Sequence, residues 1–265
     1  MVHRQIHRGF GTTDGDNWRN WYGMRSTQMA QLWRAVWGNS TRLHMVAQSQ
    51  ADWVDAEYDV LVAPKWQQAA NAGRPVPAYV APHIVLDMLT VQAQIDGGMA
   101  YNSRTSEISG WISTYGQAGA MNRMRDQMLH GTYWTADRVI DDMVAKWNHY
   151  RTVCNTYGLE LGCYEVGNHL NGTGVDAAFL AAFSVSSQMA EVYTATFNAI
   201  RTAGFDGPLC MSVDCRYPQD VIVHGLQRWL GDHNTAWSAV NTIQQANNGP
   251  AGRAASNFVG VYDLA

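Results

Sequence analysis

Apolar side chains recur at helical spacing along residues 17–37, NWRNWYGMRSTQMAQLWRAVW, at Trp21, Met24, Met29, Leu32, Trp33 and Val36. The spacing predicts an amphipathic helix closed by Gly38-Asn39. RLHMVAQSQ (42–50) is a short apolar run that turns polar, and predicts a strand. Residues 51–72 read as a loop and then one helix centred on DVLVAPKWQQAA, followed by a turn from Gly73 to Pro77. AYVAPHIVL (78–86) is the next strand-like run.

Residues 87–134 are rich in Gly, Ser, Asn and Met and have weak periodicity. A stretch this long between regular elements predicts an insertion or lid. TADRVIDDMVAKWNHYRTVCNTYG (135–158) predicts a helix with Thr135 as N-cap, a stripe of Val139, Met143, Trp147 and Tyr150, and Gly158 as its stop. LELGCYEVG (159–167) predicts a strand, 176–203 a helix ended by Gly204, and PLCMSVDCRYP (208–218) a strand. A short helix around 220–230 and another near 235–246 complete the pattern.

Strands alternating with helices predict an α/β fold of parallel βα units. The chain is read as one domain, 1–265, with 87–134 inserted on the C-terminal face of the sheet. Polar residues gather at the predicted strand ends: Gln48 and Gln50, His83, Glu165 with His169, and Asp214. That edge carries the chemistry in α/β folds.

Composition narrows the function. Hydrophobic residues make up 46% of the chain and charged residues 15%, which places it among globular proteins. Net charge is −4, so there is no electrostatic basis for binding nucleic acid or an anionic membrane. No apolar run reaches the length of a membrane span, and MVHRQIHRGF lacks the apolar centre of a signal peptide. The compartment stays open. Eleven Trp and twelve Tyr suit an aromatic core and also a sugar cleft, because pyranose faces stack on rings. Trp53, Trp66, Trp111, Trp134 and Tyr217 are the rings to inspect for cleft positions, against the alternative of packing between helices and sheet.

No nucleotide-binding glycine motif and no GxSxG occurs. The cysteines, Cys154, Cys163, Cys210 and Cys215, form no CxxC pair and read as buried free thiols. If strand parity holds, Leu161, Cys163 and Glu165 share one face and Cys210, Ser212 and Asp214 another, which makes Cys163 and Cys210 neighbours. His3 and His7 have the i,i+4 spacing of a metal pair but no third ligand nearby, so neither a metal nor a cofactor is expected.

The ordered set WYGMRSTQMAQLWRAVWG, VAQSQ (46–50), VAPHI (80–84) and YEVGNH (164–169) resembles the second half of a TIM-barrel glycoside hydrolase. The resemblance is to clan-A-type retaining glycosidases, in particular bacterial and phage-associated cellulase-like proteins, and covers roughly residues 18–215. It implies a (β/α)8 architecture of which strands five to eight are present. It makes Glu165 the nucleophile in retaining hydrolysis of a β-linked glycan, a role that needs a second carboxylate nearby as acid and base. It implies substrate contacts from Gln48, Gln50, His83, His169, Asp214 and Tyr217, with His83 and His169 as donors to the ionised nucleophile. Val166 stands where the family has glycine, and His83 where it has an aromatic hydroxyl. The family's Asn-Glu acid/base pair has no counterpart, and would fall before Met1.

Half a barrel has open strand edges. It implies a second chain, a partner, or a missing N-terminal half that closes the barrel. The alternative on the same fold is a carbohydrate-binding or structural module, such as a virion or surface component, that lacks catalysis.

Overall fold

The computed structural model describes residues 6, 9–12, 15–38, 43–99, 104–171, 175–211, 222–223, 226–227, 229 and 231–247. The fold is α/β. Its centre is a four-stranded parallel sheet of β1 (Val46–Gln48), β2 (Met88–Ile95), β3 (Glu160–Asn168) and β5 (Leu209–Met211), in the order β1-β2-β3-β5. The sheet is open, with β1 and β5 as its outer strands. Strand β4 (Leu170–Asn171) pairs antiparallel with β6 (Ile222–Val223) in a separate two-stranded ribbon. No helix among the described residues is long and apolar enough to cross a membrane.

Two compact units divide the chain. The first lies within residues 1–94, 141–166 and 200–211, and the second within 95–140, 167–199 and 212–265.

In the first unit, helix α1 (Asn17–Trp37) ends at Gly38, whose φ of 65° lets its N–H reach Arg34 O. The periodicity finds this helix but misplaces its inner face. Asn17, Asn20, Gly23, Met24, Thr27 and Ala30 are buried, whereas Met29, Leu32, Trp33 and Val36 are exposed. The cause is close packing against α2 (Ala56–Leu61). A Cβ at Gly23 would come within 2.3 Å of Val60 O, so small residues must occupy that face.

The single helix expected within 51–72 is two. Ala63 adopts φ 48°, and Pro64 opens α3 (Pro64–Asn71). Pro at a helix's first position is favourable, but its lack of an N–H and its fixed φ prevent α2 from running through it.

The strand expected at 78–86 is displaced. Pro82–Ile84 form a single 3₁₀ turn, and the strand is Met88–Ile95, inside the segment read as an insertion. All eight β2 residues are buried, including Thr90, Gln92 and Gln94. Asp87 pins the N-terminal edge, accepting Met45 N–H at 2.7 Å and Arg34 Nη2–H at 2.7 Å.

Helix α5 (Ile140–Tyr157) buries Met143, Trp147 and Tyr150 of the expected stripe and extends it to Cys154, while Val139, also buried, just precedes the helix. It starts five residues after Thr135, which is therefore not its cap, and Gly158 at φ 70° follows it. Asp206 performs for β3 the task Asp87 performs for β2, accepting Leu161 N–H at 2.7 Å and Arg151 Nη1–H at 2.8 Å.

In the second unit, α4 (Thr105–His130) is broken at Gly116, where φ 69° and ψ 176° are non-helical. With Gly110 and Gly119 nearby, this accounts for the weak periodicity of 87–134. Trp111 stacks on Trp134 with centroids 5.3 Å apart, and the Arg104 guanidinium covers the same indole at 4.9 Å. The helix expected over 176–203 is two, α6 (Val175–Ser184) and α7 (Ser187–Thr202). Ile222 and Val223, expected in a short helix, lie in β6, and α8 (Thr235–Asn247) matches the last predicted helix.

Candidate functional site

A cavity of about 220 Å³ opens in the first unit where the chain leaves the C-terminal end of β1. Gln48, Ser49 and Gln50 form one wall, and α1 supplies Trp18, Arg19 and Tyr22. Trp53 comes from the loop that follows β1, Ala56 and Val60 from α2, and Tyr164 from β3. Four aromatic rings and two primary amides thus surround a space of monosaccharide scale, below the ~300–1,000 Å³ of drug-sized pockets. Trp18 and Trp53 meet edge to face at 5.8 Å, yet stay 42% and 47% exposed, so each keeps ring surface for a ligand.

The polar frame beneath is built on Gln92. Its Oε1 accepts Tyr164 Oη–H at 2.9 Å and Ala51 N–H at 2.8 Å, and its Nε2 donates to Gln50 Oε1 at 3.3 Å. Gln92 is 2% exposed, so these bonds are made away from water. Tyr150 Oη donates to Gln50 O at 2.7 Å and lies 3.3 Å from Ser49 Oγ. Burial raises the Tyr150 phenol well above its usual range, and the Glu57 and Asp52 charges push the same way, which keeps it a neutral donor.

Charge near the cavity is compensated. Arg19 Nε donates to Asp59 Oδ2 at 2.8 Å, with its guanidinium 5.6 Å from the Trp18 ring. Lys146 forms an ion pair with Asp142 at 2.7 Å and donates to Asp52 Oδ1 at 3.0 Å. Burial alone would lower the Lys146 ammonium, but its bonds to these two carboxylates hold it above its ordinary value. Among the described residues, no carboxylate lines the cavity.

Of the residues singled out in the sequence, Gln48, Gln50 and Trp53 come together here. Glu165 is half-buried on β3, next to Tyr164 and three residues short of the strand's end at Asn168, and is not a lining residue. The β3–β5 register shifts between Cys163 and Val166, at the Tyr164-Glu165 step. His83 precedes β2 instead of ending a strand. Its Nδ1–H donates to Leu61 O at 2.9 Å, and its ring packs 4.7 Å from Tyr157. His169, just past β3, accepts at Nδ1 from Arg138 Nη1–H at 2.9 Å, which places a neutral ring's proton on Nε2. Asp214 and Tyr217 lie outside the described residues.

Trp66 is a core residue, 1% exposed, with its indole N–H on Pro77 O at 2.8 Å. Trp111 and Trp134 pack together in the second unit. Sequence reasoning missed Trp18, Arg19, Tyr22 and Tyr164. A run of three rings in the first two turns of α1 was the available signal, but it does not say which rings face outward, and Trp21 turns inward against Phe10 at 6.0 Å.

Cys163 and Cys210 lie on neighbouring strands β3 and β5, and both are free thiols. Cys154 and Cys163 are buried as expected, whereas Cys210 is exposed because β5 is an outer strand. Cys215 lies outside the described residues.

No protein-family model, curated protein or solved structure matches this chain.

Proposed function

We propose that the chain binds a saccharide in the cavity at the end of β1. One observation carries this reading: exposed indoles of Trp18 and Trp53, with Tyr22 and Tyr164, face the same small space as the Gln48 and Gln50 amides, with no carboxylate among its described lining residues. Rings take the apolar face of a pyranose, and amides donate and accept at its hydroxyls. The protein is then a carbohydrate-binding domain on an α/β fold. Affinity electrophoresis in gels cast with soluble β-glucan or xylan tests it: retardation of the wild type, lost in Trp53→Ala, supports the reading, and equal mobility with and without every glycan sinks it.

A second reading is retaining hydrolysis of a β-linked glycan with Glu165 as nucleophile. The irregular register at Tyr164-Glu165 favours it, because such irregularities in a strand re-aim side chains and gather beside active sites. A 2-deoxy-2-fluoro β-glycoside with a dinitrophenyl leaving group needs little acid assistance. A sugar adduct on Glu165 by intact-mass analysis supports hydrolysis, and a folded chain that forms none leaves binding alone.

The four parallel strands with helical crossovers also support descent from a (β/α)8 barrel, in which β1 and β5 would pair with strands of a partner chain or segment. The exposed apolar residues Leu32, Trp33 and Val36 of α1 would be covered in such an assembly.

A further inference from the structure

Glu57, on the first turn of α2, is a buried acid. Its side chain is 4% exposed. Its Oε1 accepts from His149 Nε2 at 2.7 Å, and its buried Oε2 makes no full hydrogen bond among the described residues, with the Tyr150 hydroxyl as the polar group that interacts with the carboxylate. A buried carboxylate oxygen left unpaired is costly, so such an atom points to a cation. Asp55 stands two residues earlier, at the N-cap position of α2, but its carboxylate makes no capping bond. Asp55, Glu57 and His149 each offer one donor atom, and these three atoms lie within 4.8 Å of one another. Ligand atoms about 2.0–2.2 Å from a shared tetrahedral zinc lie about 3.3–3.6 Å apart, so the His149–Glu57 pair would open slightly and the widest separation would close by about an ångström.

We propose that Asp55, Glu57 and His149 form a site for one divalent transition-metal ion of the Zn²⁺ type. Two carboxylates carry the charge that balances the ion, and the imidazole selects against Mg²⁺ and Ca²⁺. Asp55 is exposed, which gives the ion a route from solvent, while Glu57 and His149 tie α2 to α5. Three protein donors leave one position of a tetrahedral ion for water. Ala56, between the two acids, lines the cavity, so the ion would also brace that wall.

Calorimetric titration of the chelator-treated full chain with ZnCl₂, repeated with MnCl₂, tests the site. The expected result is saturable binding of one Zn²⁺ per chain, weakened about tenfold or more in Asp55→Asn and in His149→Gln. Asp55→Asn keeps an exposed side chain that tolerates positive φ, and circular dichroism confirms its fold before titration. Zn²⁺ should raise the melting temperature of the wild type and not that of the variants. Absence of saturable binding, or wild-type Zn²⁺ affinity in a folded Asp55→Asn, overturns the proposal.

Discussion

Tyr164 Oη donates to Gln92 Oε1 at 2.9 Å, joining a ring on the cavity wall to a fully buried amide on the next strand. The same oxygen holds Ala51 N–H, so one side chain fixes both Tyr164 and the start of the loop carrying Trp53. Gln92→Leu keeps the volume but removes the acceptor of the Ala51 N–H and of the Tyr164 hydroxyl. It should cost about 1–3 kcal/mol in urea unfolding and loosen the Tyr164 wall. A stability within about 0.5 kcal/mol of wild type would show that these groups find other partners.

Gln127 has the equivalent task in the second unit. Its Nε2 donates to Gly97 O and Trp134 O, and its Oε1 accepts from Tyr133 and Trp134 N–H, so all four bonding positions are used at 0% exposure. Gln127→Leu should destabilise by about 2–4 kcal/mol, because several backbone groups lose partners together. Retention of the wild-type melting temperature would remove this residue from its place as the tie between the 97 and 131–134 turns.

Burial raises the Cys154 and Cys163 thiols to about 12, while Cys210 is exposed. At pH 8 a thiol of that acidity is thiolate to the order of one part in ten thousand, and the thiolate is the reactive form. Iodoacetamide should therefore modify Cys210 in the native chain and reach Cys154 and Cys163 only in denaturant. Peptide mapping reads the sites directly. Rapid native labelling of Cys163 would contradict its placement within the sheet.

Asp16 pairs with Lys65 across the start of α1 and α3. Burial pushes the Asp16 carboxyl up, but the hydrogen bond and charge of Lys65 outweigh it and hold the group below its ordinary value. A folded-state value below the unfolded one stabilises above the ordinary carboxylate range of about 3.9 and is lost as pH falls through the folded value. Wild type should melt above Asp16→Asn at neutral pH, and the two curves should converge as the pH drops below about 4. A gap that persists unchanged at pH 2 would exclude the ion pair as its source.

Much of the first unit is legible in the sequence where one period dominates. The stripe of Met143, Trp147 and Tyr150 finds α5, and the short apolar run before Glu165 finds β3, because packing there agrees with local pattern. It fails at β2, where Thr90, Gln92 and Gln94 are buried in a strand whose polar row reads as a loop. Thr90 bonds to Ala47 O and Gln92 to the cavity frame, and such long-range partners leave no trace in local periodicity. The same displacement moved His83 from a strand end to the turn before β2. At the cavity, Gln48 and Gln50 are visible as polar residues after an apolar run. Trp18 and Tyr22 are not, since the face a helix presents depends on the close approach at Gly23. Asp55, Glu57 and His149 are 92 residues apart between the last two, and only the packing of α2 on α5 unites them.

The most direct measurement is calorimetric titration of the wild type with β-linked gluco- and xylo-oligosaccharides, in parallel with Trp53→Ala and Gln50→Ala. Trp53 is half exposed and Gln50 lies at the cavity wall, so both variants should fold. Saturable binding by the wild type, weakened at least about tenfold by loss of the Trp53 ring, a change of about 1.4 kcal/mol, is the expected result. No binding of any oligosaccharide by the folded chain, or affinity indifferent to both substitutions, would contradict a saccharide site at the end of β1.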